Sequence, residues 1–543
     1  MSAAPGTARI AGAAALIAVL TVASRIAGFT RTGVFTWVVG DTRLGDIYVV
    51  ANTVPNIIFE IVAGGALASL VVPLLAGSVA AGDRAAVSAT TSALLTWTLT
   101  LLLPLAALVA LLAGPIMGAL DVTDAAGARM LRVFAPQLPL YGIGIVLTGV
   151  LQAHRRFAWP VLAPLLSSVT VIGVYLLFGA VEGRRADLSE VGRAGELLLS
   201  GGTTLGVVVL SLCLVLPVRR MGLRLRARYR FGGEARRAVG GLALAGAATV
   251  GAQQVALVVT LRLAVEGPEG TPVVYNLAQT IYLLPWAVLA VPLATAAYPT
   301  LVAAHAAGER DRYRQALAPT ARGVLLLSCA GAAALVAVAG PVARFFDVPA
   351  AAGGIAGFAP GLLGYGMFAV LTRALYARGE PRAAAVATVA GWATAALAVV
   401  ALAAVLADDQ RVVALTLGNS IGMALLGALL VAAVLRGAGR PALEGLHRAA
   451  AAGLVAGGAA ALAGWLVTQA TGTPGAGGAV LQGMLSGAVV AAVFLGVAYP
   501  LDRRDMRPLT AALTRRLARV ARGNRVARGN RVARGNRVAR GKE

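Results

Sequence analysis

Fourteen apolar runs, each long enough to cross about 30 Å of hydrocarbon as a helix, divide this chain. They fall at 10–38, 46–76, 86–114, 130–153, 158–181, 197–217, 238–265, 272–303, 322–343, 353–377, 383–406, 412–435, 449–468 and 479–500. Runs of about twenty residues suit helices, whose backbone bonds close within the segment, and not the ten-residue alternation of a membrane barrel. Of the 543 residues, 58% are apolar and 13% are charged, against about 25% charged in an ordinary soluble domain. Too little charge remains to clothe a soluble surface. That excludes a soluble enzyme, a disordered chain and a disulfide scaffold. Cys213 and Cys329 lie inside apolar runs, and His154, His305 and His447 in short polar connections, so no metal-ligand spacing arises. No nucleophile–base pair or phosphate-cradling glycine loop is visible, and nothing calls for a cofactor. The expected fold is an all-α polytopic membrane protein with about fourteen transmembrane helices.

Arginine placement orients it. With a cytoplasmic N-terminus, the inside connections 154–157, 219–237, 304–322 and 436–448 carry the arginines, eight of them in 219–237. The outside connections 115–129 and 266–271 carry acids and at most one arginine; 182–196 is a mild exception. The even span count places the tail, 502–543, inside as well, with fourteen basic residues and three acids.

An internal repeat sets the architecture. FAPQLPLYGIGIVLTGVLQA at 134–153 and FAPGLLGYGMFAVLTRALYA at 358–377 share eleven residues at one offset of 224. Pro73-x-Leu75 with Ala80-Ala81-Gly82-Asp83-Arg84 is matched by Pro299-x-Leu301 with Ala306-Ala307-Gly308-Glu309-Arg310, offset by 226. Spans four and ten correspond, so each half holds six helices, and an even number gives both halves one orientation. Two parallel six-helix repeats, 1–218 and 238–436, are thus expected around a basic loop at 219–237. Two extra helices at 437–501 and a basic tail at 502–543 follow. Transporters built of repeats carry the substrate site between them.

Polar residues at membrane depth are costly and usually face protein or a water-filled cavity. The first two spans are rich in them: Arg25 and Arg31 six apart around Gly28, then Asp46, Asn56 after Pro55, and Glu60 one turn beyond. In the second half stand Arg262, Asn276, Gln279 and Arg373, with Gln253 and Gln254 as further polar groups; Arg373 replaces Gly149 of the repeat. Each of these also has a plain reading as interhelical glue or as a side chain reaching for the interface. That reading is weakest for Arg25 and Arg31, because two guanidiniums repel unless an acid or an anion satisfies them. Asp46 or Glu60 would serve, and so would a phosphate, which arginine binds bidentately.

SRIAGFTR (24–31), Asp46, Ala51-Asn52, Pro55-Asn56, Gly65-Ala66 and Val72-Pro73 resemble the opening signature of the MurJ (MviN) lipid II flippases. The Leu-Pro stretch running to Pro299 and Leu375-Tyr376-Ala377-Arg378-Gly379 are similar to later motifs of that family, and Pro-Asn-Ile-Ile-Phe-Glu to its actinobacterial branch. The family belongs to the multidrug/oligosaccharidyl-lipid/polysaccharide exporters. The resemblance implies a flippase that moves an undecaprenyl-diphosphate-linked disaccharide pentapeptide from the inner to the outer leaflet of the bacterial cytoplasmic membrane. It implies a cationic cavity between the halves, with Arg25, Arg31 and Asp46 among its charged residues. It also implies a lipid-tail groove on the last two helices. Five positions depart from the family pattern. Thr32 replaces an acid, Phe59 and Glu60 stand where arginines are usual, Gly64 replaces a glutamate, and Thr280 replaces an arginine. The cavity is accordingly less cationic than in the best-known members.

Three functions compete. The first is lipid II flipping, with Arg25 and Arg31 clamping the diphosphate, helped by Arg262 and Arg373, while Asp46 and Glu60 hold the arginines apart in the empty site. The second is export of another lipid-linked oligosaccharide or solute by the same fold. The third is a scaffold that transports nothing. Anionic membrane lipids are the expected partners of the basic loop and tail, with cell-wall synthesis proteins as further partners and no specific nucleic acid. The tail repeats Ala-Arg-Gly-Asn-Arg-Val over 521–540. It reads equally as an electrostatic strap on the inner leaflet, or a weak nucleic-acid contact, and as a neutral repeat expansion.

Overall fold

The structure, a computed structural model, describes residues 5–61, 68–229, 240–472 and 475–507. The expectations for Gly64, Gly65 and Ala66, for 230–237 of the basic loop and for the tail beyond 507 lie outside them. Every apolar run coincides with a helix or a helix pair. The first half comprises α1 (Pro5–Val38), α2 (Arg43–Phe59), α3 (Ala68–Ala80), α4 (Arg84–Leu111), α5 (Ala125–Phe134), α6 (Gln137–Ala153), α7 (Ala158–Val181) and α8 (Arg193–Leu212). The second comprises α9 (Gly240–Val265), α10 (Thr271–Pro285), α11 (Val291–Ala306), α12 (Arg310–Phe346), α13 (Ala350–Phe358), α14 (Gly361–Ala377), α15 (Pro381–Val405) and α16 (Arg411–Ala438); α17 (Leu446–Ala470) and α18 (Ala476–Leu501) follow. No strand occurs among the described residues.

Among the described residues, eleven spans are long and apolar enough to cross a membrane, or twelve if the bent pair α13–α14 is one span. The sequence counts fourteen. The difference lies in α2 and α3, which are only 17 and 13 residues long, and in α1, whose side chains are described only from Val19.

The repeat is visible in local geometry. Phe-Ala-Pro interrupts its span in both copies, between α5 and α6 and, with a 42° bend, between α13 and α14. Proline removes an amide donor and crowds the preceding turn, so the break falls where the motif does. Gly82 and Gly308 both have positive φ, at 69° and 71°, and the turns around them repeat the same hydrogen bonds. Asp83 N donates to Ser78 O, and Glu309 N to Ala304 O. Between α10 and α11 a π-helical turn, Trp286–Ala290, follows Pro285.

Packing near the ends relies on small residues. α17 buries Ala449, Ala452, Gly453, Ala456, Gly457, Ala460 and Gly464, letting its backbone approach α12; a Cβ on Gly453 would stand 2.9 Å from Cys329 Sγ. In lipid, where apolar contact brings no hydrophobic gain, such close approach supplies the attraction. Arg322 of α12 grips Asp505 bidentately at 2.6 and 2.8 Å and donates to Glu444 O at 2.6 Å, which pins the turn after α18.

The described part of the basic loop forms an extended strap. Arg224 N, Arg226 N and Arg228 N donate to Ser88 Oγ, Ser92 Oγ and Thr96 Oγ1 of α4 at 3.2, 3.1 and 3.0 Å. Four helical residues rise about 6.0 Å and two extended residues about 6.6 Å, so every second amide meets every fourth hydroxyl.

Candidate functional site

The halves are joined at the end bearing the acidic connections. Asp46, near the start of α2, accepts from Gly270 N at 2.7 Å and from Val273 N at 3.3 Å. Its carboxylate thereby caps the N-terminus of α10 from the other half. Gly270 is the N-cap of α10 and offers no side chain of its own; its φ of 86° and the approach of Asp41 to 2.5 Å of an added Cβ require glycine there. Arg43 N donates to Glu269 Oε1 at 2.7 Å, Arg262 Nη1 to Ala119 O at 2.8 Å, and Arg185 Nη2 to Phe346 O at 2.6 Å. These bonds all tie the first half to the second.

Behind this seam lie two chambers, separated by α10. The larger, about 480 Å³, is lined by Arg25, Arg31 and Thr32 of α1, Ser167 and Ser168 of α7, and Thr280 and Leu283 of α10. Neither Arg25 nor Arg31 has an ion-pair partner among the described residues. Arg31 lies near a buried hydroxyl cluster in which Tyr48 OH is 2.7 Å from Tyr175 OH and 2.6 Å from Thr203 Oγ1. The second chamber, about 310 Å³, is lined by Asn56 of α2 and Glu60 just past its end, Gln253 and Gln254 of α9, Gln279 of α10, Asn419 of α16 and a wall of Tyr282, Tyr365 and Trp392. Asn419 Oδ1 and Tyr282 OH are buried and find no protein partner among the described residues. One chamber is therefore cationic. The other is amide-rich and aromatic, with a single carboxylate.

The structure sorts the nine expected site residues. Arg25 and Arg31 share a chamber although they stand about 120° apart on a straight helix. Their side chains are long enough to converge. Asn56, Glu60 and Gln279 share the other chamber. Asp46 stands at the seam with its carboxylate spent on backbone amides, and Glu60 lines the opposite chamber, so neither separates the two arginines. Arg262 lies at the seam, paired with Glu266 at 3.1 Å. Asn276 and Arg373 line neither chamber, and Arg373 turns its guanidinium back on Ala369 O at 2.6 Å. Ser167, Ser168, Asn419 and Trp392 went unnoticed in the sequence. Only Asn419 had a signal, as an amide within an apolar run.

Two helical halves latched at one end around polar chambers define an all-helical, multi-pass membrane protein. Residues 35–483 match the lipid II flippase MurJ family, and the chain belongs to that family. A relative named a probable lipid II flippase MurJ, from Synechocystis, is 27% identical over 41% of this chain and 42% of its own length. The lipid II flippase MurJ of Burkholderia cenocepacia is 24% identical over 66% of this chain and 71% of its own. The chain thus spans about two fifths of the Synechocystis relative. Among solved structures, lipid II flippase MurJ in an inward closed conformation superposes with a TM-score of 0.69 at 17% identity, covering 89% of this chain and 99% of that one. An inward-facing MATE-family multidrug transporter of the MOP superfamily gives 0.60 at 15% identity, over 79% and 99%. Both likenesses concern the fold.

Proposed function

We propose that this protein flips an undecaprenyl-diphosphate-linked peptidoglycan precursor, lipid II, from the inner to the outer leaflet by alternating access. The observation that carries the reading is the pair Arg25 and Arg31, which lack an acid partner among the described residues and share a chamber between the halves. Guanidiniums held this way gain from a diphosphate, whose oxygens accept paired N–H bonds. Asn56, Gln253, Gln254 and Gln279, beside Trp392 and Tyr365, suit the sugar–peptide headgroup, which needs neutral hydrogen bonds and stacking faces. Arg262 and Arg373 belong to the supporting frame in this reading, since neither reaches the chambers. The protein sits in the bacterial cytoplasmic membrane with both termini cytoplasmic. That orientation follows the arginine count and places the latched seam outside. Anionic lipids hold the strap and the tail, α17 and α18 bear the lipid-tail groove, and cell-wall synthesis proteins are the functional neighbours.

Complementation tests this in cells depleted of their own lipid II flippase, with wild type and Arg31→Ala at matched expression. Rescue by wild type and at least tenfold fewer survivors with Arg31→Ala are expected. A correctly inserted wild type that fails to rescue points instead to another lipid-linked substrate.

A further inference from the structure

The repeat makes one comparison possible within the molecule. At the arginine-rich end of the second half, the turn before the third span and the turn after the fourth line one cavity. In the first half the repeat offsets give Arg84, Ser88 and His154 as the corresponding residues, and the hydroxyl of Ser88 accepts from Arg224 N of the strap. In the second half the offsets bring Arg310, Arg314 and Arg378 to the same places. No strap covers them among the described residues. A cavity of about 460 Å³ remains, lined by His305, Arg310, Tyr313, Arg314 and Arg378 together with Gly437–Gly439.

Two of these arginines are built into the wall. Arg378 is 19% exposed and Arg314 32%. Arg378 donates to Gly437 O at 2.6 Å, and Arg314 to Ala438 O at 3.4 Å. Carboxylates stand outside the cavity. Glu380 pairs with Arg378 at 2.8 Å, Asp311 with Arg314 at 3.3 Å, and Glu309 with Arg312 at 2.9 Å. None of the three lines it. The Arg310 and His305 side chains have no hydrogen bond or ion pair among the described residues. Orientation by arginine count explains why arginines are at this end, but it does not require them to converge on a pocket.

We propose that this slot binds a phosphate-bearing anion, either the phosphodiester of an acidic bilayer lipid or a soluble phosphate, which bridges the turns at 305–314, 378 and 437–439. In the first half, the residue corresponding to Arg314, Ser88, is already bonded to the chain's own strap. The proposal does not depend on what passes between the halves.

The test uses the detergent-solubilised full chain. Its unfolding midpoint is followed during titration with short-chain phosphatidylglycerol, with inorganic pyrophosphate, and with short-chain phosphatidylcholine as the neutral control. One or both anions should raise the midpoint, and phosphatidylcholine should not. A response to phosphatidylglycerol alone identifies a lipid headgroup; a response to pyrophosphate identifies the phosphate itself as sufficient. The double variant Arg310→Gln/Arg314→Gln should raise the half-saturating concentration at least tenfold. Arg310→Gln alone removes a side chain with no described partner, so it should fold normally and still raise that concentration. Arg312→Gln lies off the cavity and should change nothing, and Arg31→Gln should keep the response, which separates this site from the central chamber. No response to either anion, or an equal loss in Arg312→Gln, overturns the proposal.

Discussion

Asp46 shows how one carboxylate can hold two halves of a chain together. Both its oxygens accept backbone amides at the start of α10, where unsatisfied N–H groups and the helix dipole favour negative charge. Asp46→Asn keeps the shape but puts an amide donor against one of the two N–H groups. A buried acceptor lost in this way costs about 1–3 kcal/mol, a shift of roughly 5- to 150-fold between states. The variant should therefore populate conformers open at the seam. Spin-label distances across that end will show it as a longer component, and an unchanged distribution would remove Asp46 from the latch. Arg31 is the contrasting case. Its charge is left unspent by the fold, so its replacement should reduce transport while leaving the seam distances alone.

Among the elements, the strap is the one most open to test. Its three amides each meet one hydroxyl on α4, and each bond contributes about 0.5–1.5 kcal/mol. Replacing Ser88 and Ser92 with alanine and Thr96 with valine removes all three acceptors while leaving the helix and every charge in place. Trypsin should then cut after Arg224, Arg226 or Arg228 at least tenfold faster than in wild type. Equal cleavage rates would mean that Trp97, which donates to Tyr229 O at 2.9 Å, and the neighbouring contacts hold the strap without the ladder.

For the whole molecule, the latched end must open if the substrate is to leave there. Ala119 and Arg262 belong to different halves and meet at the seam. With Cys213 and Cys329 replaced by serine, Ala119→Cys/Arg262→Cys can be bridged by a short thiol-reactive linker containing a disulfide. Bridging should lower flipping at least tenfold, and a reductant should restore it. Undiminished flipping by the bridged protein would show that the seam is not a gate.

Much of this protein was legible in its sequence. Hydropathy marked apolar runs that coincide with helices, because a helix in hydrocarbon closes its backbone bonds within itself, but it counted fourteen spans where eleven or twelve are long and apolar enough among the described residues. The prolines of the FAP repeat marked the breaks between α5 and α6 and between α13 and α14. Local spacing also put Asn56 and Glu60 one turn apart, and both line one chamber. Which polar groups meet across the halves was decided only by tertiary structure. Asp46 and Gly270 are 224 residues apart, and no local pattern says that an aspartate will cap a helix of the other half. The same holds for the strap, whose sequence reads as a plain basic loop until α4 presents its hydroxyls. Periodicity is a property of neighbours along the chain; a shared chamber or a latch depends on how separate helices are packed, and that arrangement exists only once the two halves are in contact.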